Sequence, residues 1–372
     1  MSLAPGSIRD SIVSYLTMLG GDASLGEISA AVTARVGDIP PSSVRSYLNL
    51  NVPNVFERTS RGRYRLKFPA QDVAVPETLA PAITEGLAVL YQADCFEWLA
   101  RQETASVHAV VTDPPYGLVE YSELEQTKLR AGRGGVWRIP PAYDGHQRSP
   151  LPRFTVLDAK DRVALHGFFR RLGALLVRVL VPGANVVVAS NPLLSHIVIS
   201  AMAEVGLEPR GTLVRLTMTM RGGDRPKNAH TEFENVSVIP RSMWEPWVVL
   251  RKPLQGRVQD NLRRWNTGGF RRPCAERPFG DVIRSNPTTR AERAIAPHPS
   301  LKPQDFLRKV VRAALPLGQG TILDPFAGSG STLAAANALG YSSIGIECDP
   351  EYVAVARRAI ARLALLREVD PV

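Results

Sequence analysis

Asp113, Pro114, Pro115 and Tyr116 form the stretch of this chain best equipped for chemistry. The apolar run from Val107 to Val111 reads as a buried parallel strand, and the two prolines after Asp113 can neither donate to a ladder nor continue one. The chain has to stop and turn there. At the carboxyl edge of an open α/β sheet, such a turn presents an acceptor carboxylate, a prolyl carbonyl without a ladder partner, and the flat face of a tyrosine. Those groups suit a planar amino group: Asp113 and the Pro114 carbonyl each accept one N–H of an exocyclic NH2 while Tyr116 stacks on the ring. The plainer alternative is a proline-terminated strand with a satisfied aspartate.

A second stretch, Thr321 to Thr332, reads as a strand ending at Asp324, a tight glycine turn, and a helix from Leu333 to Ala338. Gly328 and Gly330 let the backbone come close to a ligand at a helix amino terminus. The spacing departs from G-x-G-x-x-G and from the P-loop, and the P-loop lysine is absent, which disfavours a phosphate cradle. The next strand, Ser343 to Ile346, ends in Glu347, placed to accept ribose hydroxyls. Asp94 follows the strand Leu87 to Tyr91 in the same way, and either accepts from a nucleotide or caps the helix after it. Together these residues describe a nucleoside pocket without pyrophosphate.

The elements that must position them alternate. Helical periodicity from Asp158 to Leu180 precedes the strand Val186 to Ala189; a helix from Leu193 to Val205 precedes the strand Leu213 to Leu216. This order predicts an open, mostly parallel α/β sheet flanked by helices. Val236 to Ile239 and Trp247 to Leu250 read as an antiparallel edge pair. Between the two chemical stretches lie two irregular segments. After Tyr116, glycines and prolines mark a long functional loop studded with Trp137, Tyr143, Arg133, Arg138 and Arg148, suited to an unpaired base or to an ordered lid. From 256 to 296, arginines that include Arg263, Arg264, Arg271 and Arg272 mix with Trp265 and Phe270, the composition of a nucleic-acid backbone clamp or of a solvated basic loop.

Residues 1–68 read as a separate module: a helix over Ile8 to Leu19, a second helix opened by Ser24 and Glu27 at capping-box spacing, a third started by Pro40 and Pro41, then a basic hairpin around Arg61 and Gly62. Three helices and a basic hairpin resemble a winged helix-turn-helix, which would set Arg45 toward a groove and Arg58, Arg61, Arg63 and Arg65 toward phosphates. A wing used for protein contact is the alternative. Residues 69–86, rich in proline and alanine, read as a linker, leaving 87–372 as the main domain.

The whole chain, 372 residues with 44% hydrophobic content and a formal net charge of +10, is globular and favours a polyanionic partner. No run is long enough for a membrane span and no signal segment opens the chain, so the expectation is a cytoplasmic protein. Cys95, Cys274 and Cys348 are too scattered for a disulfide framework or a zinc site, and no metal is expected.

With both stretches in view the chain resembles the DNA amino-methyltransferases that use S-adenosylmethionine, in the order of their β group: the Asp113 to Tyr116 block precedes Asp324 to Gly330. His298-Pro-Ser-Leu-Lys-Pro303 is similar to that family's block beside the methionine end of the cofactor. The resemblance covers about residues 87–365. It implies a Rossmann-like, seven-stranded sheet in permuted order. It also implies a catalytic group of Asp113, Pro114, Pro115 and Tyr116, and a cofactor site lined by Asp94, Asp113, Ser300, Lys302, Asp324, Phe326, Gly328, Ser329, Gly330 and Glu347. Asp94 would take the adenine amino group and Glu347 the ribose; the arginine-rich segment would recognise the target. The implied partner is double-stranded DNA, methylated at adenine N6 since Asp leads the block, with cytosine N4 as the alternative. A companion restriction endonuclease and a homodimer are partners that the resemblance suggests without fixing. Pro273-Cys274 and Glu234-Asn235-Val236 resemble cytosine C5 methyltransferase motifs, but in the opposite order. An inert methyltransferase fold serving a winged-helix regulator is the reading from another class.

Overall fold

A computed structural model describes residues 7–19, 22–37, 39–52, 55–66, 79–115, 142–143, 146–147, 157–221, 225–226, 228–240, 242–298 and 300–366. Two compact units divide the chain, Met1–Thr78 and Leu79–Val372.

The first unit contains α1 (Ser7–Leu19), β1 (Ala23–Ser24), α2 (Leu25–Val36), α3 (Pro41–Leu50), β2 (Phe56–Ser60) and β3 (Arg63–Leu66). The Ser24 hydroxyl accepts from the Glu27 amide at 3.2 Å, and the Glu27 carboxylate accepts from the Ser24 amide at 2.7 Å, closing the box that starts α2. Ile12, Leu16, Ile28, Val32, Val44, Leu48, Phe56 and Tyr64 make its core, and the strands pair antiparallel in the order β1-β3-β2. Of the arginines expected to reach phosphates, Arg63 is tied to Asp22, 2.8 Å from Nε to Oδ2, and Arg65 to Glu57 at 2.8 Å. Bonds from Arg63 and from the Thr59 hydroxyl hold the Asp22 carboxyl down at about 2. Arg45 and Arg61 are exposed.

The second unit runs β4 (Ile83–Glu85), β5 (Ala88–Gln92), α4 (Cys95–Arg101), β6 (Val107–Thr112), the short pair β7 (Ala142–Tyr143) and β8 (His146–Gln147), α5 (Ala159–Val179), β9 (Leu180–Ala189), α6 (Ser195–Ala203), β10 (Glu208–Arg221), β11 (Ser242–Arg251), α7 (Val258–Trp265), β12 (Val282–Ser285), α8 (Arg290–Ile295), α9 (Gln304–Ala314), β13 (Thr321–Asp324), α10 (Ser331–Ala338), β14 (Ser342–Glu347) and α11 (Pro350–Ala364). The main sheet has nine strands in the order β12-β10-β11-β9-β6-β13-β14-β5-β4. From β9 through β6, β13 and β14 to β5, every neighbour is parallel, so these strands end on one edge. Alternation then decides the faces: Val110, Val186 and Val188 pack under α5 and α6, whereas Val111, Val187 and Ala189 pack under α9 and α10. Both faces are covered, which explains the unbroken apolar runs.

Three expectations are corrected here. The sheet has nine strands and not seven, because an edge strand is added on each side. One of these, β4, folds back antiparallel on β5 and takes residues 83–85 out of the expected linker; the other, β12, joins β10 in parallel. Val236 to Ile239 form no strand: they lie in an irregular, exposed segment with no ladder to join. Trp247 to Leu250 are not at an edge either, since β11 lies between β10 and β9 with Trp247 fully buried. Among the described residues no helix is long and apolar enough to cross a membrane.

Candidate active site

Adjacent strand ends bring the two chemical stretches together. β6 stops at Thr112 because Pro114 and Pro115 cannot extend it, and β13, its parallel neighbour, stops at Asp324 before Pro325. The Thr112 hydroxyl donates to Asp324 Oδ1 at 2.7 Å and so ties the two strand ends. Asp113 and the glycine turn therefore share one edge, beside the ends of β14 and β5 where Glu347 and Asp94 lie.

The glycine turn is held by Glu347. Its Oε2 accepts the Gly328 amide at 2.8 Å and its Oε1 the Asp349 amide at 2.8 Å, leaving lone pairs on both oxygens for hydroxyl donors. Gly328 has φ +51°, and a Cβ there would stand 3.2 Å from His298 Nε2. Burial first and the Lys302 charge second push the His298 imidazole down to about 4, so it is neutral at neutral pH. Its Nδ1 accepts the Ser300 amide at 3.1 Å, and its ring meets Tyr352 edge-on. The Phe326 ring packs 5.8 Å from that of Phe168, an apolar floor beside the turn. The open edge thus offers hydrogen-bond acceptors, a close-approach backbone and an aromatic ring, which fits a nucleoside whose other end carries a sulfonium.

Several of the expected cofactor residues also have work within the frame. Asp94 Oδ1 accepts the Phe96 and Glu97 amides at 2.8 and 3.0 Å, so its carboxylate caps α4. Gly330, at φ +82°, is needed for packing: a Cβ would meet the Ile360 side chain at 2.6 Å. Ser329 is buried. Ser300 is exposed and Lys302 is committed elsewhere, its Nζ 2.6 Å from Asp113 Oδ2. Asp324 is 2% exposed and acts within the frame. Burial pushes its carboxyl up to about 6 against the pull of the Thr112 and Thr332 hydroxyls and the Phe326 amide, and the Asp113 charge adds to the rise.

A folded-state value above the unfolded one makes protonated Asp324 a source of stability below the unfolded carboxyl's range, lost as pH rises through about 6. Asp324→Asn removes that titration. Its melting temperature is expected to vary less between acid and neutral pH than that of the parent protein, as followed by circular dichroism. Parallel profiles would contradict the assignment.

Sequence reasoning missed Glu245 and Arg215. They are cross-strand partners on β11 and β10, joined at 2.8 Å, and Glu245 Oε1 lies 3.3 Å from Lys302 Nζ. The available signal was a charge set among apolar residues, Arg215 between Val214 and Leu216 and Glu245 just ahead of the run Trp247 to Leu250. Tyr116 lies outside the described residues, as do Trp137, Arg133, Arg138 and Arg148.

The first part of the arginine-rich segment, up to β12, is not brought to this edge. β11 runs antiparallel to its neighbour β9, so the chain leaves it at the amino-terminal edge of the parallel strands. There the Thr267 hydroxyl donates to the Pro182 carbonyl at 2.6 Å, and Asn185 donates to the Gly269 and Ala314 carbonyls. Arg271 bonds the Tyr341 hydroxyl and its amide donates to the Ala313 carbonyl at 2.9 Å. Arg312 donates to the Arg272 carbonyl at 2.8 Å. Arg264 stacks over Trp265 at 5.0 Å, and Arg263 lies 3.7 Å from Asp260. A strand of β6's length separates these arginines from Asp113 by roughly 20 Å along the strand axis. Arg271 and Arg272 line a shallow depression of about 450 Å³ with Arg312 and Cys274, so the cysteine is on the wrong edge for attack on a base at Asp113. Only from β12 onward does the chain return to the site, through α8 to Lys302.

Comparison with known proteins agrees with this geometry. A family model described as DNA methylase matches residues 107–358. The chain is 24% identical over 282 residues to the Type II methyltransferase M2.DpnII of Streptococcus pneumoniae, covering 75% of this chain and 92% of that protein. Over 63 residues, 17% of this chain and 21% of the relative, it is 41% identical to the DNA adenine methyltransferase YhdJ of Escherichia coli K12. Among solved structures, the cytosine-N4-specific PvuII DNA methyltransferase shares the fold, with a TM-score of 0.50 at 16% identity, over 78% of this chain and 90% of that one.

Proposed function

The chain belongs to the DNA methylase family, as a β-group amino-methyltransferase, and from that premise we propose that it methylates adenine at N6 in duplex DNA with S-adenosylmethionine. S-Adenosylmethionine, when bound, supplies an electrophilic methyl group. The observation that carries the reading is the shared edge: the Asp113 turn and the Gly328 turn end neighbouring strands tied by the bond from Thr112 to Asp324. Glu347 and the Gly328 backbone would hold the nucleoside end of the cofactor, Phe326 its flat side, and Ser300 and His298 would flank the turn.

An exocyclic amine on an aromatic ring is a weak nucleophile, so alignment carries most of the rate. The target base leaves the helix at a cost of roughly a few kcal/mol for unstacking. Asp113 and the Pro114 carbonyl then each accept an N–H, turning the nitrogen lone pair toward the methyl group, while Tyr116 stacks on the ring. As the nitrogen–carbon bond forms and the carbon–sulfur bond breaks, the amine sheds one proton toward the Asp113 carboxylate or through it to water. An aspartate in the first position of the block and the stretch of likeness to a DNA adenine methyltransferase support adenine.

The Type II methyltransferase relatives support a restriction-modification setting with a companion endonuclease, and a cytoplasmic location suits that substrate. Base-resolved methyl mapping of DNA from cells expressing the protein, against cells carrying Asp113→Ala, tests the reading. N6-methyladenine in one short context, absent from the variant, is expected. Methylated cytosine would reverse the base, and unmodified DNA would leave a binding regulator.

Residues 1–68 are proposed as a winged-helix module that grips duplex backbone through Arg61 and Arg45, both exposed. Removing that module is expected to weaken duplex binding, flatten the dependence of log affinity on log salt, and leave the methylated context unchanged, as measured by fluorescence anisotropy and mapping. A changed context would mean that the module reads bases. The placement of Arg263, Arg264, Arg271 and Arg272 on the far edge of the sheet does not support target reading by them.

A further inference from the structure

Four alternating charges line up at the edge of the site. Arg215 is fixed by three contacts: its Nη1 lies 2.8 Å from Glu245 Oε2, its Nε donates to the Ser285 hydroxyl at 3.0 Å, and its guanidinium stands over the Phe306 ring at 5.1 Å. Glu245, gripped in this way, reaches the Lys302 ammonium at 3.3 Å, and that ammonium reaches Asp113 Oδ2 at 2.6 Å. The side chains are 9% exposed for Arg215, 17% for Glu245, 10% for Lys302 and 17% for Asp113, so little water screens them. Formal charges along the row cancel, which is what permits four ions in so dry a place.

Resting on the methyl-transfer reading above, we infer that Glu245, anchored by Arg215, is a positioning residue that shares the Lys302 ammonium with Asp113 and thereby orients the Asp113 carboxylate toward the amine. The reason is electrostatic. Positive charge grows on the attacking nitrogen, and the carboxylate facing it is useful only while its own negative potential survives. An ammonium clamped on Asp113 alone would cancel that potential. A second carboxylate, fixed by a strand-borne guanidinium, takes part of the ammonium's charge and sets where Lys302 stands. Among the described residues, the charged groups facing Asp113 include Lys302 from the segment before α9, Glu245 from β11 with Arg215 behind it on β10, and Asp324 at the end of β13.

The test is Glu245→Gln, read by single-turnover methyl transfer to duplex DNA across pH, with cofactor affinity measured separately by calorimetry. The plateau rate is expected to fall by about ten- to a hundredfold with cofactor affinity held within about threefold. Loss of the neighbouring negative charge leaves more of the Lys302 charge to Asp113, so the acidic limb of the rate profile moves to lower pH. Glu245→Asp, which keeps the charge but shortens its reach, is expected to hold the limb in place while lowering the plateau, and it serves alone if the glutamine variant does not fold. An unchanged limb and plateau in Glu245→Gln, or an unchanged plateau in Glu245→Asp, would overturn the inference. A parent protein that transfers no methyl group to DNA amines would instead overturn the proposed function, so the two failures are distinct.

Discussion

Asp113→Ala is expected to lower methyl transfer to DNA by about a thousandfold or more, the upper part of the range for removing a positioned acceptor of protons. The alanine takes away the acceptor that would hold one amine N–H, and it leaves the Lys302 ammonium at the place where positive charge develops. Both effects act in the transition state, so cofactor affinity should change far less than turnover. Lys302 keeps Glu245 as a partner at 3.3 Å, which spares the variant an unpaired buried cation, and its melting temperature should stay close to that of the parent protein. Transfer of a labelled methyl group to filter-bound DNA, run beside a thermal melt, separates the outcomes. A folded variant with a tenth or more of the parent's rate would remove Asp113 from the chemistry.

Glu347→Ala is expected to have its effect on cofactor binding. The carboxylate accepts the Gly328 and Asp349 amides, and in the proposed complex it also accepts ribose hydroxyls. Deleting it strands two backbone donors at the mouth of the pocket and loosens the turn that approaches the cofactor, at a cost of about 2–3 kcal/mol, or about thirty- to a hundred-and-fiftyfold in the dissociation constant of S-adenosylmethionine. Glu347→Gln keeps an acceptor oxygen for one of the two amides and should lose less. Calorimetric titration decides it; alanine and parent proteins of equal affinity would place the cofactor elsewhere.

The parts of the site legible in the sequence were those written locally. Val107 to Val111 and Thr321 to Asp324 are strands because both of their faces are buried, and prolines mark where they stop. The glycine turn and Glu347 follow from the same kind of punctuation, and the Ser24 box opens α2 where its spacing puts it. What escaped was set by tertiary partners. The short edge strands β4 and β12 exist because β5 and β10 offer them a ladder, and Val236 to Ile239, with similar composition, have none.

The arginine-rich segment has composition suited to nucleic acid, but β11 delivers its first part to the edge opposite Asp113, where Pro182, Ala313 and Tyr341 hold it. Asp94 carried two readings, and the Phe96 and Glu97 amides on its Oδ1 support the helix cap. Asp324, named for the cofactor, ties β13 to β6. Glu245 and Arg215 could be seen in sequence only as stray charges in apolar strands, since their meaning depends on a register that sets them opposite each other and within reach of Lys302, 57 residues beyond Glu245 in the numbering.

The measurement that bears most directly on the shared-edge site is made on purified full-length protein: incubate it with methyl-labelled S-adenosylmethionine and unmethylated duplex DNA, digest the DNA to nucleosides, and identify the labelled one by chromatography and mass. The label is expected in N6-methyldeoxyadenosine, dependent on both Asp113 and Glu347. Label carried on C5 of cytosine, transfer that survives the loss of Asp113, or transfer at limiting cofactor that is unchanged by the loss of Glu347, would contradict a site built from these two strand ends.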